Sequence, residues 1–556
     1  MTYRALLTVA FAAIALPASA QDLLIRGGTI HTGVEGAAPA EVVIARDGRI
    51  AYVGSAAGAP STAGLDVIDL DGATLFPGFT DGHAHLDGIG WRELTLNLEG
   101  STSVVDAMSR LTAWAQANPE GMIIGRGWIE TRWPESANGA RFLTAADLDA
   151  AAPGRLVLLQ RADGHATVAS TDAMTRLGIT ADTEAPFGGE ILKGADGQPT
   201  GMFVDAAEQL LAPLMPQADP EATRAAYRAG FAVEARYGWT GIHSMSVPWR
   251  DVPLLEAMAQ AGEAPIRVYN SVTPEGAAEL FESGARSVAD GRVITRAVKF
   301  YADGALGSRG AALHQPYSDA PETSGLMQVT REQQVPLYEQ ALRSGIQLAT
   351  HAIGDRGNTE VAEWYAEALR NVPPSDRPNG EDVRWRIEHA QILRPSDYRW
   401  FHELPIIASM QPSHAIGDFH FAPARLGEAR LDGAYAWHSL VDRGVIVVGG
   451  SDAPVERGDP LIEFYAAVAR RDLEGFQGPD WRPQEAVDRA TALKMFTLWP
   501  AYASFRENEL GTIEVGKRAD FTAFNIDLMT VPVADIPRGR AVLTVVDGEV
   551  VFRADQ

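Results

Sequence analysis

Two histidines, His83 and His85, stand two residues apart in the segment FTDGHAHLD that covers residues 79–87. On a β strand, side chains two positions apart point to the same side, so both imidazoles can face one metal ion. A lone His-x-His pair is weak evidence, because two hydrogen-bonded structural histidines give the same pattern. A metal site therefore requires further ligands elsewhere in the chain.

Four further polar residues each follow or end an apolar run. They are Lys299 in VKFYADG, His351 in ATHA, His389 in IEHA and Asp452 in GGSDA. Burying an unpaired charge costs several kcal/mol, and a divalent cation can supply the missing partner. Each residue alone is more often structural, but together they predict a metal site that includes His83 and His85.

The amino-acid composition excludes several kinds of catalytic and metal-binding chemistry. The chain has no cysteine, which excludes disulfides, thiolate nucleophiles, zinc ribbons and iron–sulfur clusters. Its 47 Lys and Arg against 72 Asp and Glu give a net charge of −25, which argues against a nucleic-acid partner. The sequence contains no Gly-x-Gly-x-x-Gly, Walker or Gly-x-Ser-x-Gly motif.

The elements that must position these residues form an α/β pattern. The chain has 556 residues, more than the roughly 250 to 300 that one ordinary core holds. One strand before His83 and seven later apolar runs alternate with helical patterns, which predicts a (β/α)8 TIM barrel with its active site at the carboxyl ends of the strands. The later runs are residues 240–243, 266–272, 298–301, 346–349, 385–387, 406–410 and 445–448.

Both chain ends have a different sequence pattern, with short strand-like runs separated by Gly or Asp-Gly turns. We expect residues 22–77 and 508–556 to pair into one composite β-sandwich, because neither end can bury a core alone. The barrel then covers residues 78–507. About 150 residues separate His85 from the second strand, which predicts an inserted subdomain over about residues 101–215.

The amino terminus has the composition of a secretory signal peptide. An apolar run follows Arg4 and ends before Ala18-Ser19-Ala20, so we expect cleavage after residue 20. A buried helix or a membrane anchor is the alternative, but the apolar run is shorter than the roughly 20 residues that a spanning helix needs. This predicts a periplasmic or secreted enzyme with no membrane anchor after cleavage.

With these motifs the sequence resembles the amidohydrolase superfamily, in the family 3 branch of metal-dependent hydrolases related to N-substituted formamide deformylase. The resemblance covers nearly the whole mature chain. It rests on PGFTDGHAH at residues 77–85, GRGW at 125–128, DGH at 163–165, GGE at 188–190, KFYADGALGSR at 299–309, HAIGD at 351–355, EH at 388–389, QP at 411–412 and GSDAP at 450–454. The family fold is a (β/α)8 barrel with a composite β-sandwich, in agreement with the organisation above.

The resemblance also implies roles for the metal ligands. It makes His83 and His85 ligands of one ion and His351 and His389 ligands of a second, with zinc as the expected metal. Lys299 would be carboxylated and bridge the two ions. The alternative is a plain lysine paired with Asp303, which would leave a site for one ion.

Asp452 is implied to contact the metal and the attacking water, acting as general base and then protonating the leaving nitrogen. Candidate substrate contacts are His165, in the insertion, and five residues near the barrel mouth. These five are His243, Tyr301, Asp303, Arg309 and His414.

The resulting prediction is a hydrolase that cleaves a non-peptide C–N bond in a small amide, formamide or cyclic amide. Ester, lactone or deaminase chemistry on the same fold is an alternative, because the same attack by water serves several leaving groups. An exported binding protein without catalysis is a third reading, which the complete ligand set disfavours. A homodimer is compatible with the resemblance.

Overall fold

The computed structural model describes residues 22–130, 133–136, 141–162, 164–186, 189–215, 219–478 and 481–555. The predicted signal peptide lies outside these residues. Within them, no helix is both long enough and apolar enough to cross a membrane.

A nearly closed sheet of eight parallel strands forms the centre of the protein, and it confirms the predicted TIM-type barrel. The eight strands match the eight runs expected from the sequence. In hydrogen-bonding order they are Phe79–Ala84, Trp239–Val247, Arg267–Val272, Val293–Tyr301, Gln347–Ala352, Trp385–His389, Ile406–Met410 and Val447–Gly449. A short strand, Arg286–Val288, pairs antiparallel with the fourth barrel strand.

The first and eighth barrel strands are joined through Asp81. Its carboxylate accepts hydrogen bonds from the His83 amide at 3.1 Å, the Ser451 amide at 2.9 Å and the Ser451 hydroxyl at 2.5 Å. The close approach of the chain after the eighth strand to the first strand requires glycine at position 450, since a Cβ atom there would lie 2.4 Å from the backbone nitrogen of His83. These contacts bring the first pair of histidines next to the loop that carries Asp452.

Helices cover the outside of the barrel. The helix Pro220–Tyr237 has residues typical of helix ends. The Asp219 side chain accepts a hydrogen bond from the Glu221 amide at its start, and Gly238, at φ +102°, ends it. The other helices flanking the barrel strands are Leu86–Leu94, Val252–Gln260, Ala277–Ser283, Arg331–Ser344, Asp355–Asn371, Tyr398–Glu403, Pro412–Asp418, Ala422–Leu426, Trp437–Val441, Pro460–Ala469, Arg489–Phe496 and Leu498–Ala503.

Both chain ends contribute to one five-stranded sheet, in which Phe76 is paired antiparallel with Thr522. Its strands are Thr29–Ile30, Thr74–Pro77, Phe521–Phe524, Ala541–Val546 and Glu549–Arg553. A four-stranded sheet consists of Arg49–Gly54, Val42–Arg46, Leu23–Arg26 and Asp66–Asp69. Residues of the two sheets share a buried core that includes Ile25, Val43 and Phe521. The domain limits drawn from the sequence stay predictions.

A six-stranded sheet lies in the chain between the first and second barrel strands. Its strands, in order, are Gly189–Lys193, Pro199–Asp205, Ala166–Ala169, Val157–Arg161, Ile123–Trp128 and Leu96–Asn97. The accompanying helices are Val104–Ala117, Ala145–Ala151, Thr171–Leu177 and the 3-10 helix Ala206–Leu214. The edge strand Leu96–Asn97 precedes residue 101, so this sheet begins earlier than the insertion predicted from the sequence.

Candidate metal centre

All six predicted ligands lie at the carboxyl ends of barrel strands or directly after them. His83 is in the first strand, Lys299 in the fourth and His351 in the fifth, and His389 is the last residue of the sixth. His85 follows the first strand, and Asp452 lies in the loop after the eighth. This is the face of a TIM barrel on which active sites are built.

Three of these residues form a tight group. Each of His83, His389 and Asp452 offers one ligand atom, and these atoms all lie within 4.8 Å of one another in buried surroundings. Asp452 Oδ1 is 3.3 Å from His83 Nε2 and 3.2 Å from His85 Nε2. Lys299 Nζ is 3.4 Å from His83 Nε2.

His351 lies beside His389 in the same cluster. Its ring centroid is 4.5 Å from that of His389, which in turn is 5.0 Å from that of His83. The Nε2 atom of His351 is 3.4 Å from the carbonyl oxygen of Gly304. The structure therefore brings all six predicted ligands together.

The ionisation of these groups suits a divalent cation. Burial lowers the pKa of His351 to about 3 and, with the charge of His351, holds that of His389 well below its usual value. Burial alone would raise the pKa of Asp452, but neighbouring His83 and His85 hold it well below its usual range. Neutral imidazoles and a carboxylate are the ligands that zinc and similar ions bind.

A fully buried ion pair lies next to His83, and the sequence did not reveal it. Glu388 Oε2 is 2.5 Å from His83 Nδ1, and Glu388 Oε1 is 2.6 Å from Arg386 Nε. Burial alone would raise the pKa of Glu388, but Arg386 and His83 hold it well below its usual range. Because the carboxylate occupies Nδ1, the Nε2 atom of His83 is left for a metal.

The backbone at His389 explains why Glu388 was missed. Strand alternation places neighbouring residues on opposite faces, yet Glu388 and His389 both contact the same cluster. His389 has a φ of +70°, which ends the regular alternation. Its Nδ1 atom is 2.8 Å from Oε1 of the buried Gln411, so a second side chain fixes this ring. Asp452 also has a positive φ, of +58°, and such conformations concentrate at functional sites.

Lys299 is buried beside these ligands, and burial lowers its pKa to about 8. The alternative pairing of Lys299 with Asp303 is wrong. The Asp303 carboxylate instead accepts hydrogen bonds from three backbone amides at 2.8 to 2.9 Å, those of Ala312, Ile353 and Gly354. The fourth barrel strand ends at Tyr301, so strand alternation does not extend to Asp303.

Four of the predicted substrate contacts lie near the cluster, among them Asp303, whose Oδ1 atom is 3.5 Å from His351 Nε2. The His414 ring stacks on that of His389 with centroids 5.8 Å apart, and its Nε2 atom is 3.6 Å from Asp452 Oδ2. The centroid of the Tyr301 ring lies 5.7 Å from that of the His351 ring, and the Tyr301 hydroxyl is hydrogen-bonded to the Ser246 hydroxyl. His165 is close enough for its charge to add to the effect of burial in lowering the pKa of His351.

The other two predicted contacts have structural partners instead. His243 is buried inside the barrel with Nδ1 at 2.7 Å from Arg386 Nη1, so the expectation that it contacts substrate does not fit its position. Arg309 forms an ion pair with Asp319 at 2.9 Å, so its guanidinium is engaged within the loop that follows the fourth strand.

The chain matches known proteins along almost its whole length. Residues 66–552 match a family described as an amidohydrolase family. The chain is 33% identical over 538 residues to the protein YtcJ of Bacillus subtilis (strain 168), covering 95% of this chain and 98% of that protein. It is 27% identical over 546 residues to N-substituted formamide deformylase of Arthrobacter pascens, again covering 95% and 98%.

A solved structure shows the same fold. It is a metal-dependent hydrolase from Pyrococcus horikoshii OT3, with a TM-score of 0.75 and 24% sequence identity. The match covers 92% of this chain and 99% of that one.

Proposed function

Because the chain belongs to the amidohydrolase family, we propose that it is a metal-dependent hydrolase that cleaves a non-peptide C–N bond in a small amide, formamide or cyclic amide. The observation that carries this proposal is the convergence of His83, His389 and Asp452 within 4.8 Å at the barrel mouth. The formamide class is supported by the similarity to N-substituted formamide deformylase along almost the whole chain.

The residues that would hold one or two divalent ions, with zinc as the proposed metal, are His83, His85, Lys299, His351, His389 and Asp452. When bound, such an ion lowers the pKa of water and polarises a carbonyl group. His83 is fixed for this task by Glu388, and His389 by Gln411.

Asp452 is the proposed proton carrier. Its low pKa keeps it ionised, so it can take a proton from the water that adds to the carbonyl carbon. It then gives this proton to the nitrogen as the C–N bond breaks, which yields a carboxylic acid and an amine. His414, 3.6 Å from Asp452, together with Tyr301 and His165, is proposed to contact the substrate.

Lys299 is proposed to carry a carboxyl group. Its pKa of about 8 leaves a fraction of the amine neutral near pH 7. The neutral amine can attack carbon dioxide, forming an N–C bond and releasing a proton, to give an anionic carbamate. This anion would replace a cation that otherwise opposes metal binding only 3.4 Å from His83.

The experiment that tests the function is a hydrolysis panel with parallel metal analysis of the purified protein. The panel contains N-substituted formamides, acylated amino acids, hydantoins, simple esters and lactones, and amino-substituted heterocycles. We expect metal-dependent cleavage of a C–N bond that yields an acid and an amine. His389→Asn should abolish it, while His402→Asn, at an exposed position outside the cluster, should not.

Other outcomes of the panel would redirect the assignment. Turnover of esters alone would favour an ester or lactone hydrolase, and release of ammonia without an acid product would favour a deaminase. Binding without turnover in the metal-loaded protein would favour the non-catalytic reading.

Export is a separate proposal that rests on the sequence of residues 1–20. The mature enzyme would be periplasmic or secreted, and intact-mass measurement of the cell-produced protein tests this. A mass that still includes residues 1–20 would contradict export. A homodimer, which is compatible with the resemblance, is a further proposal that light scattering can test.

A further inference from the structure

A hydrogen bond between two hydroxyl groups crosses the mouth of the barrel. The Ser246 hydroxyl, near the end of the second barrel strand, is bonded to the Tyr301 hydroxyl, at the end of the fourth. The third barrel strand lies between these two strands in the sheet, so the bond spans it. The two side chains therefore fix each other's positions at the carboxyl ends of the strands.

Strand geometry places the Tyr301 ring next to the proposed metal ligands, on the side towards the barrel mouth. Tyr301 is two residues after Lys299, so both side chains point to the same face of the fourth strand. The ring centroid lies 5.1 Å from Lys299 Nζ and 5.7 Å from the centroid of the His351 ring. Tyr301 is partly exposed, whereas its neighbour Phe300 is buried. A substrate that reaches these ligands therefore lies beside Tyr301.

The backbone around Ser246 departs from regular strand geometry. Between Ser244 and Val247, the second strand has one more residue than the stretch of the third strand that pairs with it. Ser246 lies in this bulge and has a φ of +59°, a conformation that is costly for a residue with a Cβ atom. Bulges redirect side chains and are frequent beside active sites. Here the irregular backbone accompanies the contact between Ser246 and Tyr301.

The hydroxyl pair has one O–H group to spare. Two hydroxyls contain two hydrogens, and the bond between them uses one. Among the described residues, neither hydroxyl has another hydrogen-bond partner. Desolvation raises the pKa of Tyr301 above its ordinary value, so the phenol keeps its proton. One O–H group is therefore available to an acceptor that enters the barrel mouth.

We propose that Ser246 is a positioning residue, whose hydroxyl donates to the Tyr301 oxygen and directs the Tyr301 O–H at the carbonyl oxygen of the substrate. This inference rests on the proposed hydrolysis of an amide. As water adds to the carbonyl carbon, negative charge develops on the carbonyl oxygen, and a donor already in place stabilises it. Hydrogen bonds in a chain polarise one another, so the bond from Ser246 strengthens the bond that Tyr301 makes.

A double-mutant cycle tests the pair by steady-state kinetics on the substrate that the hydrolysis panel identifies. Tyr301→Phe removes the donor and should lower kcat about 10²- to 10³-fold. Ser246→Ala removes only the orienting bond and should lower kcat about fivefold with little change in KM. In the Tyr301→Phe background it should have no further effect, because residues that act through one interaction are not additive. Equal losses from Ser246→Ala in both backgrounds would overturn the proposal.

Ser246→Gly separates a chemical role of the hydroxyl from a structural role of the backbone. Glycine adopts a φ of +59° without strain, so this variant should be at least as stable as Ser246→Ala. Its kcat should nevertheless be as low, because both variants lack the hydroxyl. Recovery of kcat in the glycine variant would overturn the proposal. Ser344→Ala is the matched control, because the Ser344 hydroxyl donates to the Gln340 carbonyl within an outer helix; its kcat should not change.

Binding of methylphosphonate to the metal-loaded proteins provides a measurement that does not require turnover. Its tetrahedral oxygens resemble the group formed when water adds to a carbonyl. Titration calorimetry should show weaker binding to Tyr301→Phe and, to a smaller extent, to Ser246→Ala than to the unmodified protein and Ser344→Ala. Equal affinities in all four proteins would overturn the proposal. These affinity differences without turnover of any panel substrate would instead overturn the proposed function, so the two failures are distinguishable.

Discussion

Glu388 provides a quantitative test of how the barrel interior supports the proposed metal centre. The carboxylate is completely buried between His83 Nδ1 at 2.5 Å and Arg386 Nε at 2.6 Å. Glu388→Ala would leave Arg386 buried without a carboxylate, which costs about 3–5 kcal/mol of unfolding free energy. It would also release the His83 ring, and loss of such an orienting partner typically lowers metal affinity about 10- to 100-fold.

Glu388→Gln separates these two effects. The amide oxygen still accepts a hydrogen bond from His83, so metal affinity should fall less than in the alanine variant. The lost charge still leaves the Arg386 guanidinium without a counter-charge, so stability should fall in both variants. Chemical denaturation measures the stability, and competition with a chelating dye measures the metal affinity.

A control comes from the surface ion pair of Arg331, which is exposed, and Glu367, which is partly exposed. Glu367→Gln removes an equivalent charge at the surface and should leave metal affinity unchanged, with little effect on stability, because solvent screens such pairs. The reasoning would be refuted if Glu388→Ala bound metal with the affinity of the unmodified protein and unfolded at the same denaturant concentration.

Three further predictions address individual side chains. Asp452→Asn should lower kcat about 10²- to 10⁴-fold while metal and substrate still bind, because the amide cannot accept the proton; a near-normal rate with metal bound would place the base elsewhere. Lys299→Ala should lose metal and activity, and short carboxylic acids should partly restore both; full two-metal occupancy without added acid would argue against a bridging carbamate. Glu234 is buried with no hydrogen-bond partner for either carboxylate oxygen among the described residues, and burial, followed by the charge of Asp81, raises its pKa well above 4.5. Between pH 4.5 and the raised pKa, the folded state therefore keeps a proton that the unfolded state loses. The free energy of unfolding should fall as the pH rises through this range, and Glu234→Gln should flatten this part of a plot of unfolding free energy against pH. An unchanged slope would show that Glu234 is already ionised in the folded protein.

The barrel and the positions of the proposed ligands were predictable from the sequence, because each barrel strand is a short apolar run and each proposed ligand stands at or shortly after the end of one. Lys299 and His351 illustrate this, since the residues before them are buried and regular strand geometry brings both to the same face of the barrel.

The contacts that could not be predicted from the sequence depend on departures from regular strand geometry and on partners that are distant in the chain. The positive φ at His389 lets two consecutive residues contact one cluster, and alternation does not predict this. Arg386 contacts residues from three other barrel strands, among them His243 and Ser409, and no local pattern links these positions. Asp303 falls after the end of its strand, where its carboxylate is taken up by backbone amides.

The most direct test of the central claim is the metal content of the purified chain, compared with that of a variant carrying both His83→Asn and His389→Asn. The unmodified chain should contain one or two equivalents of a divalent metal. The double variant should lose it, while His402→Asn retains it. Undiminished metal in a folded double variant would contradict a metal centre at the mouth of this barrel.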